Sequence, residues 1–128
     1  MLRYCGSEQD VFPSLEHASD DGLLAIGGDL SPARLRCAYS QGIFPWFEEG
    51  QPILWWSPDP RCVLYTDQFK TSRSLRKSIK KASFAYSLDR SFSAVVAACA
   101  GPRASQDGTW ITPEMHAAYC QLHETGYA

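Results

Sequence analysis

A tryptophan-rich segment broken by proline and glycine constrains this chain more than any other feature. Residues 42–61 read GIFPWFEEGQPILWWSPDPR and hold three of the chain's four tryptophans. Because proline fixes φ and lacks an N–H donor, the four prolines of this segment exclude a regular helix. Large aromatic side chains on irregular backbone either pack into a core or line a cleft, where an indole stacks on a planar ligand such as a nucleobase. The residues alone leave both alternatives open.

Composition and cysteine usage are typical of a globular protein from a reducing compartment. The 128 residues are 45% hydrophobic and 20% charged, with a formal net charge of −2. The five cysteines are odd in number and widely spaced, with no Cys-x-x-Cys, which favours reduced thiols over a disulfide framework. No apolar run approaches the roughly 20 residues of a membrane span, and the first residues lack the apolar centre of a signal peptide. We therefore expect a cytoplasmic protein with no membrane partner.

End signals predict four helices, joined by short β-prone runs. The predicted N-caps are Ser31, Thr71 or Ser72, Asp89 and Thr112, and the helices end near residues 42, 81, 100 and 126. The β-prone runs are residues 53–56, 62–65, 84–88 and 109–111. The pattern predicts an α/β (α+β) chain. The proline-rich stretch at 57–61 indicates a boundary between a small N-terminal α/β domain, residues 1–60, and a second domain, residues 61–128.

The strands are few for the number of helices. About three short strands cannot form a sheet that covers four helices. The sequence also stops one step past a helix end, where an α/β pattern would continue into a strand. We therefore expect the front part of a larger fold, in which further strands cover Leu75, Ile79 and the apolar stripe of residues 115–122.

The sharpest electrostatic feature is a row of cations on the second predicted helix. Arg73, Arg76, Lys77, Lys80 and Lys81 recur at helical spacing and share one face, here called the basic stripe. Leu75 and Ile79 fall on the opposite face and are expected to anchor the helix to the core. A row of charges is often only a solvated face, but that alternative predicts mixed signs. A single-sign stripe in a net acidic chain favours a polyanionic partner such as a phosphate backbone.

Other patterns are weaker. His116, Cys120 and His123 share one helical stripe but lack a fourth ligand nearby, so we expect no metal site. The glycine-rich residues 22–30 match neither a P-loop nor a dinucleotide fingerprint, and are interpreted as a tight turn before the first helix. Trp110 follows a turn at a helix entrance, where a free N-terminus can meet an anion, so it is either a ligand-facing indole or a core residue.

Seven strings of the sequence together resemble a known family, the bacterial leucyl/phenylalanyl-tRNA–protein transferases. They occur in order and with family-like spacing: GLLA (22–25), GGDLSP (27–32), GIFPWF (42–47), ILWWSPDPR (53–61), SRS (72–74), GTWIT (108–112) and LH (122–123). The resemblance implies that residues 61–128 are the first part of a GNAT-like acyltransferase domain. It also implies transfer of Leu, Phe or Met from aminoacyl-tRNA to the N-terminal Arg or Lys of a protein, which marks that protein for degradation. No cofactor is implied.

The resemblance assigns roles to particular residues. Trp46 and Trp110 correspond to aromatic positions beside the aminoacyl-adenosine, and Phe47 is assigned with them to substrate binding. The basic stripe corresponds to the helix that contacts tRNA. The family's catalytic Asp and Gln lie in the roughly one hundred residues that follow the position of Ala128, so no catalytic residue is assigned here and the 128 residues alone are expected to be inactive. A non-catalytic tRNA-binding fragment is the alternative. An acyl-CoA N-acetyltransferase is a weaker one, because no glycine-rich pyrophosphate loop opens a helix here.

Overall fold

The computed structural model describes residues 3–5, 12–81, 84–102 and 108–128, and its contacts divide the chain into two units. The first unit combines Met1–Asp59 with Ser91–Ala128, and the second is Pro60–Arg90. The strands are β1 (Arg3–Cys5), β2 (Leu23–Gly27), β3 (Phe44–Pro45) and β4 (Leu54–Trp56). The helices are α1 (Pro32–Ser40), α2 (Arg73–Lys81), α3 (Phe92–Cys99) and α4 (Pro113–Glu124), with single 3-10 turns at Leu15–His17 and Thr66–Gln68.

The first unit is built on one mixed sheet, which confirms the α/β class. The strand order is β1-β2-β4-β3, with β1 parallel to β2 and the other neighbours antiparallel. Ala25 of β2 and Pro45 of β3 both face Trp55 of β4 in the register. Pro45 is tolerated because β3 is an edge strand, where the missing N–H leaves no central ladder bond unmade. The sheet therefore holds the tryptophan-rich segment in two adjacent strands.

Helices α1 and α4 begin where their caps predicted. The Ser31 hydroxyl accepts a hydrogen bond from the Arg34 N–H at 3.4 Å, and the Thr112 hydroxyl accepts one from the Met115 N–H at 3.2 Å. Both helices have proline in the first turn, where its fixed φ suits a helix start. Helix α2 also begins as predicted, since the Ser72 hydroxyl accepts from the Leu75 N–H at 3.2 Å.

The core lies where α1 and α4 cover the sheet. Trp55 is fully buried, its indole N–H donates to the Gly27 carbonyl at 2.9 Å, and Phe12 packs edge-on against it at 4.9 Å. Leu35 of α1 and Met115 of α4 are also fully buried. The 115–122 stripe is thus covered by the first unit itself, so the expectation that it waits for further strands is wrong.

A turn at Gly22 leads into β2. Gly22 has φ +92°, and its carbonyl accepts from the Ser57 N–H at 2.7 Å. A Cβ at this position would lie 2.6 Å from the Cα of Pro58. Only glycine combines this backbone conformation with so close an approach.

Several predicted elements are wrong. Residues 23–27 form β2 rather than part of a tight turn, and the runs 62–65, 84–88 and 109–111 form no strand. These runs have β propensity but find no strand to pair with, and propensity alone does not make a sheet. Asp89 has φ +59°, outside the range of an N-cap, so α3 begins after Ser91 instead.

The second unit buries no described side chain. Leu75 is 45% exposed and Ile79 is 63% exposed, so no described residue covers them, and the expected anchoring of α2 to a core stays a prediction. The GNAT-like character of residues 61–128 and the domain division at residue 60 stay predictions.

Candidate nucleic-acid interface

Two tryptophans that are far apart in sequence line one apolar pocket in the first unit. The pocket has a volume of about 250 Å³. Its wall consists of Tyr39, Phe44, Pro45, Trp46, Trp110 and Tyr119. Trp46 is 56% exposed and Trp110 is 42% exposed, although both side chains are strongly apolar. Of the two sequence-based alternatives for these indoles, the cleft is the one that the structure adopts.

The backbone around Trp46 directs its indole away from the core. Its N–H donates to the Leu54 carbonyl at 3.0 Å, and its carbonyl accepts from the Trp56 indole N–H at 2.7 Å. Both bonds use main-chain atoms of Trp46, so its side chain takes no part in holding the strand edge. The neighbouring Trp55 has the opposite environment and is fully buried.

Trp110 is positioned by the entrance to α4. It stands two residues before the Thr112 cap, and its ring meets the Tyr119 ring edge-on, with centroids 6.3 Å apart at 78°. Edge-to-face contact is a preferred geometry for aromatic pairs and favours one orientation of the Trp110 ring. Trp110 therefore combines a defined position with an exposed indole.

A pair of tyrosines, missed as functional residues by the sequence analysis, adds polar groups to this apolar wall. The hydroxyls of Tyr39 on α1 and Tyr119 on α4 are hydrogen-bonded to each other. Burial raises the pKa of both phenols above their ordinary value of 10.0, and the bond to Tyr39 raises that of Tyr119 further. The available sequence signal is a tyrosine on each helix, Tyr39 on α1 and Tyr119 within the apolar 115–122 stripe of α4. At neutral pH both groups are protonated and able to donate.

Phe47, the third predicted aromatic site residue, lies elsewhere. It is 4% exposed and belongs to the hydrophobic core. Part of its surface reaches a second cavity of about 430 Å³ on another side of Trp46, together with Trp56 and the carboxylate residues Asp21 and Glu48. Phe47 is not in the wall of the Trp46–Trp110 pocket, and its assignment to substrate binding stays a prediction.

The basic stripe is formed as predicted on α2, in the second unit. All five cations are exposed. The Arg76 guanidinium donates to the Thr71 carbonyl at 3.3 Å, which ties its side chain to the helix start. Among the described residues no carboxylate pairs with a cation of the stripe. The stripe is therefore an uncompensated positive surface.

The histidines of α4 have other partners. The His116 ring lies 3.1 Å from the Ser93 carbonyl and 3.9 Å from the Cys120 sulfur, while His123 stacks on Phe92 at 4.3 Å. The part of the chain that the structure describes contains no group of three or more His, Cys, Asp or Glu arranged to hold a metal ion. In the same residues, no helix has both the length and the apolar character needed to cross a membrane.

Comparison with known proteins identifies the family. The family model described as leucyl/phenylalanyl-tRNA protein transferase matches residues 63–128, and the model of that family's N-terminal domain matches residues 28–59. A leucyl/phenylalanyl-tRNA–protein transferase of Chromohalobacter salexigens is 55% identical, over 100% of this chain and 51% of the relative. The corresponding proteins of Shewanella woodyi and Azotobacter vinelandii are 57% and 59% identical, over 99% and 91% of this chain and 55% and 53% of theirs. The chain spans about half the length of the curated relatives it matches, and it belongs to the leucyl/phenylalanyl-tRNA–protein transferase family.

Proposed function

We propose that the protein works in the cytoplasm as an aminoacyl-tRNA–protein transferase. It moves Leu, Phe or Met from aminoacyl-tRNA to the N-terminal Arg or Lys of an acceptor protein and so marks that protein for degradation. The observation that carries the proposal is the pocket between Trp46 and Trp110, in a chain of this family. The pocket supplies the kind of surface that holds the end of a nucleic acid.

In this proposal the pocket holds the terminal adenosine of the tRNA. Two half-exposed indoles give a planar base apolar surface on which to stack, and such stacking is worth roughly 1–3 kcal/mol per base. The wall contains no carboxylate or cation, so a neutral base in this pocket meets only uncharged side chains. Phe47, which the family resemblance assigns to substrate binding, would contribute from the buried position next to Trp46 in sequence.

The tyrosine pair gives the pocket a polar edge. Two hydroxyls that share one hydrogen bond still offer a second O–H donor and free acceptor lone pairs. Both phenols are protonated at neutral pH, since the ordinary tyrosine pKa of 10.0 already lies well above 7 and burial raises it further. In the proposal Tyr39 and Tyr119 bond to ribose or phosphate oxygens and set the rotation of the stacked nucleoside.

The basic stripe supplies affinity without sequence preference. Five exposed cations on one face suit the phosphates of a folded RNA, and each phosphate neutralised releases bound counterions. This contact would hold the body of Leu-tRNA or Phe-tRNA while the pocket selects its aminoacyl end. Phosphate contacts position a nucleic acid and do not by themselves read its bases.

The reaction proposed is aminolysis of an ester. The neutral α-amino nitrogen of the acceptor attacks the ester carbonyl carbon, a C–N bond forms, the C–O bond to the ribose breaks, and the ribose oxygen takes up a proton. The residues named here bind and orient the ester, and correct orientation alone accounts for a large part of such rate enhancements.

The test is transfer of radiolabelled Leu from Leu-tRNA to a peptide beginning with Arg, using the full-length protein. A matched peptide beginning with Ala serves as the acceptor control. We expect multiple turnovers with the Arg peptide, little with the Ala peptide, and loss of transfer in a Trp46→Ala, Trp110→Ala double variant. Binding of tRNA without transfer would overturn the transferase proposal in favour of a tRNA-binding protein.

A further inference from the structure

A larger cavity adjoins the Trp46–Trp110 pocket at Tyr39. It has a volume of about 500 Å³, and we call it the Arg36 cavity. Helix α1 contributes Arg36, Cys37 and Ser40 to its wall, and the segment after α4 contributes Tyr127. Tyr39 lines both cavities, so the two lie side by side along the contact between α1 and α4.

The Arg36 guanidinium lies over an aromatic ring at this cavity. Its guanidinium carbon lies 3.7 Å from the centroid of the Tyr127 ring. A guanidinium has five N–H donors, and two of them can bond one phosphate in parallel. Both side chains are exposed, and within the described residues no carboxylate forms an ion pair with Arg36. Among the residues that the structure describes, the Arg36 cation therefore has an aromatic neighbour and no anionic one.

Arg36 lies in the cavity next to the Trp46–Trp110 pocket, where the phosphate before a bound terminal nucleoside can reach it. A strand of RNA with its last nucleoside between Trp46 and Trp110 carries its preceding phosphate directly beside that nucleoside. Tyr39 is the wall between the pocket and the Arg36 cavity, so a strand that leaves the pocket past Tyr39 enters the Arg36 cavity next. The cavity then presents a planar cation to the phosphate and about 500 Å³ of space to the next nucleotide.

We propose that the Arg36 cavity is a second nucleotide subsite, with Arg36 paired to the phosphate that precedes the terminal adenosine and Tyr127 holding the guanidinium in place. The inference rests on the proposed function, because the register of the strand is set by the adenosine in the Trp46–Trp110 pocket. It predicts that affinity for the aminoacyl end depends on two nucleotides rather than on one.

Two probes separate the subsites in the full-length protein. The first is 3′-amino-3′-deoxyadenosine acylated with phenylalanine, whose amide resists transfer. The second is the same nucleoside extended at its 5′ oxygen by a phosphate and cytidine. We expect wild-type protein to bind the second probe more tightly. Arg36→Ala should raise the Kd of the second probe roughly tenfold or more and leave the Kd of the first probe unchanged.

Salt dependence and matched variants identify the phosphate contact. For the second probe, Arg36→Ala should make the affinity less dependent on salt, because salt screens the attraction between the guanidinium and the single phosphate. Arg36→Lys keeps the charge, and should keep the salt dependence of binding while losing part of the affinity. Tyr127→Leu should lower the affinity for the second probe and leave the affinity for the first probe unchanged. Lys70→Ala, which removes an exposed cation outside both cavities, should change neither affinity.

The outcomes separate this inference from the proposed function. Suppose that Trp46→Ala lowers the affinity for both probes. If Arg36→Ala then lowers the affinity for neither probe, or lowers it equally for both, the second subsite is refuted and the adenosine pocket stands. If wild-type protein binds neither probe, the proposed function fails, and the second subsite fails with it.

Discussion

Replacing Trp46 with alanine tests the adenosine pocket most directly, because the Trp46 side chain contributes little to the stability of the fold. The indole is 56% exposed, and both hydrogen bonds at Trp46 use main-chain atoms that the substitution keeps. The buried share of a tryptophan side chain, of the order of 90 Å² here, is worth about 2 kcal/mol as an upper value. That loss is small against the 5–15 kcal/mol stability of a domain, so the variant should fold.

The expected loss of binding is larger and specific. Removing one stacking partner costs roughly 1–3 kcal/mol, which corresponds to a roughly 5- to 150-fold higher Kd for an aminoacyl-adenosine analogue. Isothermal titration calorimetry measures this Kd without relying on tryptophan fluorescence. Trp46→Phe keeps an aromatic ring and should fall between wild type and Trp46→Ala.

The control substitution is Tyr86→Ala. Tyr86 is 94% exposed and lies outside the Trp46–Trp110 pocket, so its loss should leave the Kd unchanged. An unchanged Kd in Trp46→Ala protein with a normal circular dichroism spectrum would refute the stacking role. A general loss of structure would instead lower the unfolding midpoint and the affinity for every ligand.

Three further predictions address charge, pH and backbone strain. Replacing Arg76 and Lys77 together with alanine should weaken binding of all tRNAs about equally and flatten the salt dependence by about one unit per lost contact; an unchanged slope in filter binding would reduce the stripe to a solvated face. Because burial raises the pKa of both pocket tyrosines above 10.0, the folded state keeps protons that the unfolded state loses, so unfolding free energy should fall as pH rises above about 10. In urea titrations, Tyr119→Phe should make this decrease of the unfolding free energy with pH shallower. A pH profile identical to that of wild type would contradict the link between the raised tyrosine pKa and stability. Gly22→Ala should destabilise by more than the 1–3 kcal/mol of a strained φ, because the new methyl also meets the facing proline Cα at 2.6 Å; Gly50→Ala, with φ +81° and open space around it, is the control for strain alone.

The helices were largely predictable because their signals are local. A hydroxyl at the cap, proline in the first turn and apolar positions at helical spacing all act within a few residues, as at Ser31 and Thr112. The basic stripe is predictable for the same reason, since helical periodicity alone aligns its five cations. The cap at Asp89 failed because an aspartate also suits the left-handed conformation that it adopts here.

The strands were less predictable because pairing depends on distant segments. Residues 62–65 have the composition of a strand but no partner, whereas the glycine-bounded β2 becomes one because β1 and β4 flank it. The same limit applies to the four tryptophans, since composition does not distinguish the buried Trp55 from the exposed Trp46.

The sequence by itself determined that this chain has capped helices, one cationic helix face and an aromatic segment that proline keeps out of a helix. Only the tertiary structure decided which aromatic residues meet. Packing of α4 against α1 brings Trp110 and Tyr119 to Trp46 and Tyr39, because the buried faces of both helices must cover one sheet. That shared need for burial acts between segments remote in sequence, so local pattern cannot reveal the pocket that it creates.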